Sequence, residues 1–317
     1  MSNTIIYCQK HNGKDFNYFL YNIALFLEKN YNYEINLVHS EEFIKIKDID
    51  TRVLDCQLAI YYNDIDVLKG ICYADTDTPL SNIFYTRNNP NDLFLHSQNG
   101  STQMSHRNDI QFSFEFINYL PEKEYMNFDN YYNRRLYQKK LKDKLIFRGN
   151  YVNMPRNSVL FLKNNEYCNV GGYITDYFDT LTEYKVGLSI PGLGELCHRD
   201  VEYMAIGIPF IKVEYETKWD PELIPNYHYI SIDRKDVPSF YTVKWDDGRF
   251  ENLSSEHWLE CERFGSEELS KLYINKFMEV KDNLEFLDFI SKNARKYYND
   301  NLHPLNRTQK IINLLKI

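Results

Sequence analysis

No stretch of this chain stays apolar for the roughly 20 residues that a bilayer-spanning helix needs. The opening MSNTIIYCQKHNGKD has neither a basic lead nor an apolar core of signal-peptide length, so no secretory leader is expected. The six cysteines, Cys8, Cys56, Cys72, Cys168, Cys197 and Cys261, include no CxxC pair. That spacing argues against a zinc site and against a thioredoxin-type dithiol. Positive charge is also in deficit, with 37 Lys and Arg against 45 Asp and Glu, a formal net charge of −8. An acidic protein gains no counterion-release affinity for nucleic acid unless its cations cluster. The densest basic run, Arg134 to Lys144 (RRLYQKKLKDK), has the spacing of a wet helix face. No internal repeat and no low-complexity linker interrupts the sequence. The expectation is a soluble cytoplasmic protein with no transmembrane segment and no nucleic-acid partner. Asn-x-Ser/Thr triplets at Asn99, Asn252 and Asn306 would matter only in a secretory lumen.

What is present is enough apolar material for real cores, 43% of 317 residues. That length suits two domains of roughly 150 residues each. The 27 Tyr and 20 Phe accompany abundant Asn, Lys and Ile, a composition that an AT-rich genome produces, and are not read as sugar-stacking residues. In the first half, Thr4–Gln9, Ile35–Val38, Gln57–Tyr62, Val67–Tyr73 and Leu93–His96 read as strands. A helical pattern from Phe16 to Leu27 separates the first two, and Glu122–Lys142 reads as one long helix. Strand–helix–strand order predicts parallel pairing with right-handed crossovers. The second half opens on a strand at Lys144–Arg148, reaches another at Gly187–Pro191, and continues as a helix over Arg199–Gly207 and a buried strand at Ile208–Val213. Leu272–Asn299 and Thr308–Leu315 read as helical. The predicted organisation is an N-terminal Rossmann-like domain over 1–142, a C-terminal one over 143–290, and helices over 291–317 packing back on the first. Two α/β halves of this kind, with parallel sheets facing across a cleft, make a GT-B arrangement, with ligand at the C-terminal ends of the strands.

The most informative stretch runs from Tyr184 to Ile230. It reads as a strand, a Gly192-Leu193-Gly194 turn, a helix beginning near Arg199, a buried strand and a Pro-aromatic-His-Tyr cluster. The turn lets backbone N–H groups approach a ligand, the helix N-terminus adds partial positive charge, and Arg199 adds a fork of donors. Together these are the parts that one reading assembles into a diphosphate site. The bland alternative is a tight turn with Arg199 in a surface ion pair. Glu202, one turn on, either receives ribose hydroxyls or is a solvated helix carboxylate. Upstream, Asp75-Thr76-Asp77 could hold a divalent metal against a diphosphate, could supply a general base, or could simply initiate a loop as Asx-turn residues. His11, His39 and His257 read as surface or packing residues. Ser101, Ser189 and Cys197 lack the context of an activated nucleophile.

Four motifs in order make this sequence resemble glycosyltransferase family 90, which holds protein O-glucosyl- and O-xylosyltransferases and fungal capsule xylosyltransferases. The family pattern Y-K-Y, strand, Gly, Arg, helix, G-(S/D)-x-V-x-x-K, then L-x-P-W-x-H-Y-(I/V)-P is matched by Tyr184, Lys185, Gly192, Arg199, Gly207, Lys212, Leu223, Pro225, His228, Tyr229 and Ile230. Leu145–Arg156 (LIFRGNYVNMPR) resembles F-R-G-S-x-x-x-x-R, whose first Arg would be Arg148. Leu93–Phe116 resembles P-I-F-S-x-x-G-S-T-x-x-x-D-I-x-x-P and keeps Asp109-Ile110. Asp77-Thr78-Pro79 fits D-x-P, whose Asp is the family's base. The departures are Asn226 for the family's Trp, a Gly-to-Arg spacing one residue longer, and Phe112-Ser113 in place of the Pro region.

The resemblance implies an inverting glycosyltransferase that uses a UDP-sugar donor, UDP-glucose or UDP-xylose, and needs neither metal nor other cofactor. Arg148, Gly192, Gly194, Arg199 and Glu202 would hold the donor. Asp77, with Asp75 as competitor, would deprotonate a hydroxyl on a glycan, lipid-linked or protein acceptor. A cytoplasmic polysaccharide acceptor or a virus-encoded enzyme fits as well. The alternative is a non-catalytic module that binds glycan or nucleotide on the same fold.

Overall fold

The computed structural model describes residues 3–8, 34–39, 56–62, 70–75, 93–97, 127–149, 154–190, 197–215, 221–237, 255–303, 306 and 309, with side chains only from 127 onward. By internal contacts the chain divides into two units. One comprises Met1–Met126, Thr217–Pro221 and Asp300–Ile317, the other Asn127–Glu216 and Glu222–Asn299.

The first unit holds a five-stranded sheet of β1 (Asn3–Cys8), β2 (Glu34–His39), β3 (Cys56–Tyr62), β4 (Gly70–Asp75) and β5 (Leu93–Ser97), in the order β2-β1-β3-β4-β5. β1 pairs parallel with β2, and β4 with β5. β3 runs antiparallel to both β1 and β4. This corrects the expectation of an all-parallel sheet. Only residues 63–69 lie between β3 and β4. A parallel return needs a crossover of about a dozen residues or more, so this short link makes a hairpin instead. β4 also starts three residues later than the sequence suggests, at Gly70 in place of Val67.

The second unit is built on a fully parallel sheet in the order β10-β9-β8-β6-β7. Its elements are α1 (Phe128–Tyr137), β6 (Lys142–Arg148), α2 (Ser158–Leu162), β7 (Cys168–Gly171), α3 (Tyr177–Thr182), β8 (Tyr184–Leu188), α4 (His198–Ile206), β9 (Phe210–Val213), β10 (Ile230–Ile232), α5 (Ser255–Val280) and α6 (Leu284–Tyr297). The four residues of β9 and the three of β10 are all buried, as strands covered on both faces require. Leu145, Phe147, Val186, Leu188, Ile211 and Val213 share one core with Val159 and Leu162 of α2 and Leu269, Tyr273 and Phe277 of α5. α1 and α6 pack on α4. The helix read over Glu122–Lys142 is shorter among the described residues. α1 ends at Tyr137 and β6 begins at Lys142, because Gln138 is already extended.

Helix termini follow local chemistry. Gly207 ends α4 in the left-handed conformation, φ 70°, where a Cβ would collide with the Tyr132 ring. Asn283 caps α6 by accepting from the Phe286 N–H at 3.1 Å, which splits the helical run over 272–299 into two helices. Arg135, inside the run read as a wet face, is buried. Its guanidinium donates to the carbonyls of Gly207, Tyr184 and Lys185, tying α1 to the end of α4 and the start of β8. Burial lowers its pKa to about 10.

Candidate diphosphate site at the sheet's switch point

From β6 the chain moves to one side to make β7, then crosses back to make β8 on the other side. Strand order therefore reverses between β6 and β8. In open α/β sheets the crevice beyond the C-terminal strand ends at such a point is where ligands bind. β6 ends there in Arg148 and Gly149, and the chain leaving β8 leads into the N-terminus of α4.

Arg199, in the first turn of α4, is 7% exposed. Its Nη2 donates to the Arg148 carbonyl at 2.5 Å, and its guanidinium lies over the Phe147 ring, 4.1 Å from the centroid. It is therefore buried, not held in a surface ion pair. Nε and Nη1 are buried and have no hydrogen-bond partner among the described residues. Burial opposes its charge, but Tyr177, Tyr203, Cys197 and Glu202 around it outweigh that and raise its pKa. Gly149 makes the approach possible: its φ is 152°, and a Cβ there would collide with Arg199 Nη2.

The structure brings Arg148 and Arg199 together through the Arg148 main chain. The Arg148 side chain turns across β7, where Nη2 donates to Asn169 Oδ1 at 2.5 Å and Nε is buried without a partner among the described residues. Asn169 in turn donates to the Tyr184 hydroxyl. Glu202 is 4% exposed and accepts from the Tyr177 hydroxyl at 2.6 Å, so it is not a solvated helix carboxylate. Burial, then Glu202, pushes the Tyr177 pKa well up. Gly192, Gly194 and Asp77 lie outside the described residues, as does Asp109. Asp75 is the last residue of β4, in register with Ser97 of β5.

His228 lies elsewhere. It stands two residues before β10, at the N-terminal ends of the parallel strands, away from the switch point. Its Nδ1 accepts from the Ile224 N–H at 2.8 Å, and burial lowers its pKa to about 4. It serves the turn before β10, which also contains Asn226 at φ 55° accepting from the Ser231 N–H at 3.1 Å. Asn tolerates that left-handed conformation far better than the Trp of the family pattern would.

Sequence reasoning missed two neighbours of the site. Arg156 Nη2 reaches Cys197 Sγ at 3.4 Å, which sets a third guanidinium beside the α4 N-terminus. Its place in the F-R-G-S-x-x-x-x-R match was the available signal. Asp200 forms a fully buried ion pair with Lys212, Nζ to Oδ2 3.0 Å. A lysine inside the buried run IPFIKV was the sign that an acid must lie opposite. Among the described residues, no group of three or more His, Cys, Asp and Glu is placed to hold a metal ion, and no helix is long and apolar enough to cross a membrane.

No family model and no curated protein matches this sequence. Among solved structures it is similar to Anabaena HepE, solved in complex with UDP-glucose, at 9% identity and TM-score 0.44 over 99% of this chain and 100% of that one. It is similar to TarM at 10% identity and TM-score 0.39 over 78% of this chain, and spans about half of TarM, 54%. A glycosyltransferase from Rickettsia africae matches at 10% identity and TM-score 0.38 over 97% of this chain and 83% of that one. Identities and scores this low mark a distant likeness only.

Proposed function

We propose that this chain is a UDP-sugar-dependent glycosyltransferase of GT-B organisation, allied to family 90, with its donor diphosphate at the β6/β8 switch point. The observation that carries the reading is Arg199. It is a buried guanidinium beside a helix N-terminus, and two of its donor nitrogens have no acceptor among the described residues. Buried donors left unpaired are costly, and a phosphate oxygen is the acceptor that both the charge and the helix end favour. The ordered motif resemblance supports a sugar nucleotide over other phosphorylated ligands.

In this reading Asp77 takes the proton of an acceptor hydroxyl. The hydroxyl oxygen bonds to the anomeric carbon as the bond from that carbon to the diphosphate oxygen breaks, inverting its configuration. Negative charge builds on the leaving diphosphate, where Arg199, Arg156 and the α4 N-terminus receive it. Arg148, Gly192 and Gly194 complete the phosphate side, and Glu202 the ribose side. UDP-glucose or UDP-xylose is the donor, and a glycan, lipid-linked or protein hydroxyl the acceptor. The cations replace a metal, so EDTA should leave turnover intact.

The test is a panel of nucleotide sugars scored for release of free nucleoside diphosphate, with and without EDTA. UDP-glucose or UDP-xylose should give the highest release. Asp77→Asn should lower turnover by roughly 10²–10⁴-fold while UDP affinity barely changes. Tight UDP binding with no turnover of any donor would favour the non-catalytic module. Restoration of lost activity by Mn²⁺ would return Asp75-Thr76-Asp77 to a metal role. Should Asp77→Asn retain activity while Asp75→Asn abolishes it, the base is Asp75.

A further inference from the structure

One carboxylate bonds both the residue just after β8 and the residue just before α4. Asp200, the third residue of α4, is fully buried. Its Oδ1 accepts from the hydroxyl of Ser189, which follows β8. Its Oδ2 accepts from the backbone N–H of Cys197, which caps α4, at 3.3 Å. The same oxygen accepts from the Tyr215 hydroxyl at 2.8 Å and pairs with Lys212 Nζ at 3.0 Å. Lys212 is itself fully buried and lies over the Tyr215 ring, 4.5 Å from its centroid.

A buried ion pair is a poor device for stability alone, because desolvation offsets most of the attraction. An acid in the first turn also repels an anion approaching that helix end unless its charge is cancelled. Lys212 cancels it in place. What remains is a four-donor anchor joining the ends of β8 and β9 to the first turn of α4, with Arg199 as the adjacent residue.

We propose that Asp200, neutralised by Lys212, is a positioning residue for the nucleotide's phosphates: it fixes Ser189 and Cys197 about the α4 N-terminus and thereby the aim of Arg199. The proposal rests on the diphosphate reading above. It assigns Lys212 an internal role, with no contact to ligand.

Ser189→Ala and Tyr215→Phe each remove one donor from Asp200 without changing any charge. Calorimetry on the full chain compares UDP with uridine, which lacks phosphate, after circular dichroism confirms that each variant is folded. Each variant should weaken UDP binding roughly fivefold, the net worth of one ordinary hydrogen bond, and leave uridine binding unchanged. A role in stability alone would lower the melting temperature and leave UDP affinity intact in both variants, which overturns the proposal. Equal weakening of UDP and uridine overturns it too. Arg199→Ala separates the two readings. If it abolishes UDP binding while Ser189→Ala and Tyr215→Phe match the wild type, only the positioning role falls. If Arg199→Ala binds UDP as tightly as the wild type, the diphosphate site falls and the positioning role with it.

Discussion

Arg199 is held by two features that a substitution can remove separately. One is the guanidinium fork itself, proposed above to meet the diphosphate. Arg199→Ala should weaken UDP binding by roughly 1.5–3 kcal/mol, as for a charge-assisted bond, measured by calorimetry. The other is the space that Gly149 leaves. Gly149→Ala keeps the guanidinium but places a Cβ against Nη2 at a φ of 152°. It should cost about 1–3 kcal/mol of stability and weaken UDP binding as Arg199 is displaced. Unchanged UDP affinity in a folded Gly149→Ala protein would show that the Arg199 position is not what binds. Arg199 was legible in the sequence because a Gly turn, a helix start and an arginine stand in a row. The direction of the Arg148 side chain was not, since it is set by the register of β6 against β7, which places Gly171 opposite Arg148 and leaves room for a guanidinium over that strand. Asp200 was hidden for another reason: nothing local distinguishes a buried carboxylate from a solvated one near a helix start.

Among elements, the turn between β9 and β10 depends on a neutral imidazole. The His228 pKa is about 4 in the fold and near 6.5 in an unfolded chain. Above pH about 6.5 both states are neutral, and the contribution of this group to stability is fully present. As pH falls from there toward 4, the unfolded chain takes up a proton that the fold does not, and stability declines. The melting temperature should therefore drop over that window. His228→Asn, whose Oδ1 can accept from the Ile224 N–H, should flatten the decline, and UDP affinity at pH 7 should not change. A decline just as steep in the variant would place the titrating group elsewhere. In the second unit β6 and β9 could be read because they carry apolar runs bounded by Gly or charged residues, whereas β7 and β10, four and three residues long, are too short to show a pattern. The reversal of β3 could not be read from periodicity, which is the same for either strand direction. The length of the link to β4 carried that information. The burial of Arg135 escaped notice for a similar reason, since its partners are carbonyls distant in sequence.

For the whole molecule, the grouping of α1 with the second unit has a physical basis in Arg135 and Arg295. Arg135 bonds α1 to Gly207 and β8, while Arg295 of α6 donates to the Ala205 carbonyl and to Asp129 of α1. The parallel sheet, its helices and all the described site residues near α4 thus belong to one compact unit with its own core. A unit of this kind is expected to fold alone. A fragment spanning Asn127–Asn299 should unfold cooperatively on heating and bind UDP within about tenfold of the full chain, a difference of about 1.4 kcal/mol. It lacks Asp75 and Asp77, so it should release no nucleoside diphosphate from any donor. Circular dichroism, calorimetry and the donor panel check the three outcomes separately. A folded fragment that fails to bind UDP would move part of the donor site into the first unit. A fragment that turns over donor would exclude both aspartates as the base and direct the search to carboxylates within the second unit, with Glu202 first because it lies buried one turn from Arg199.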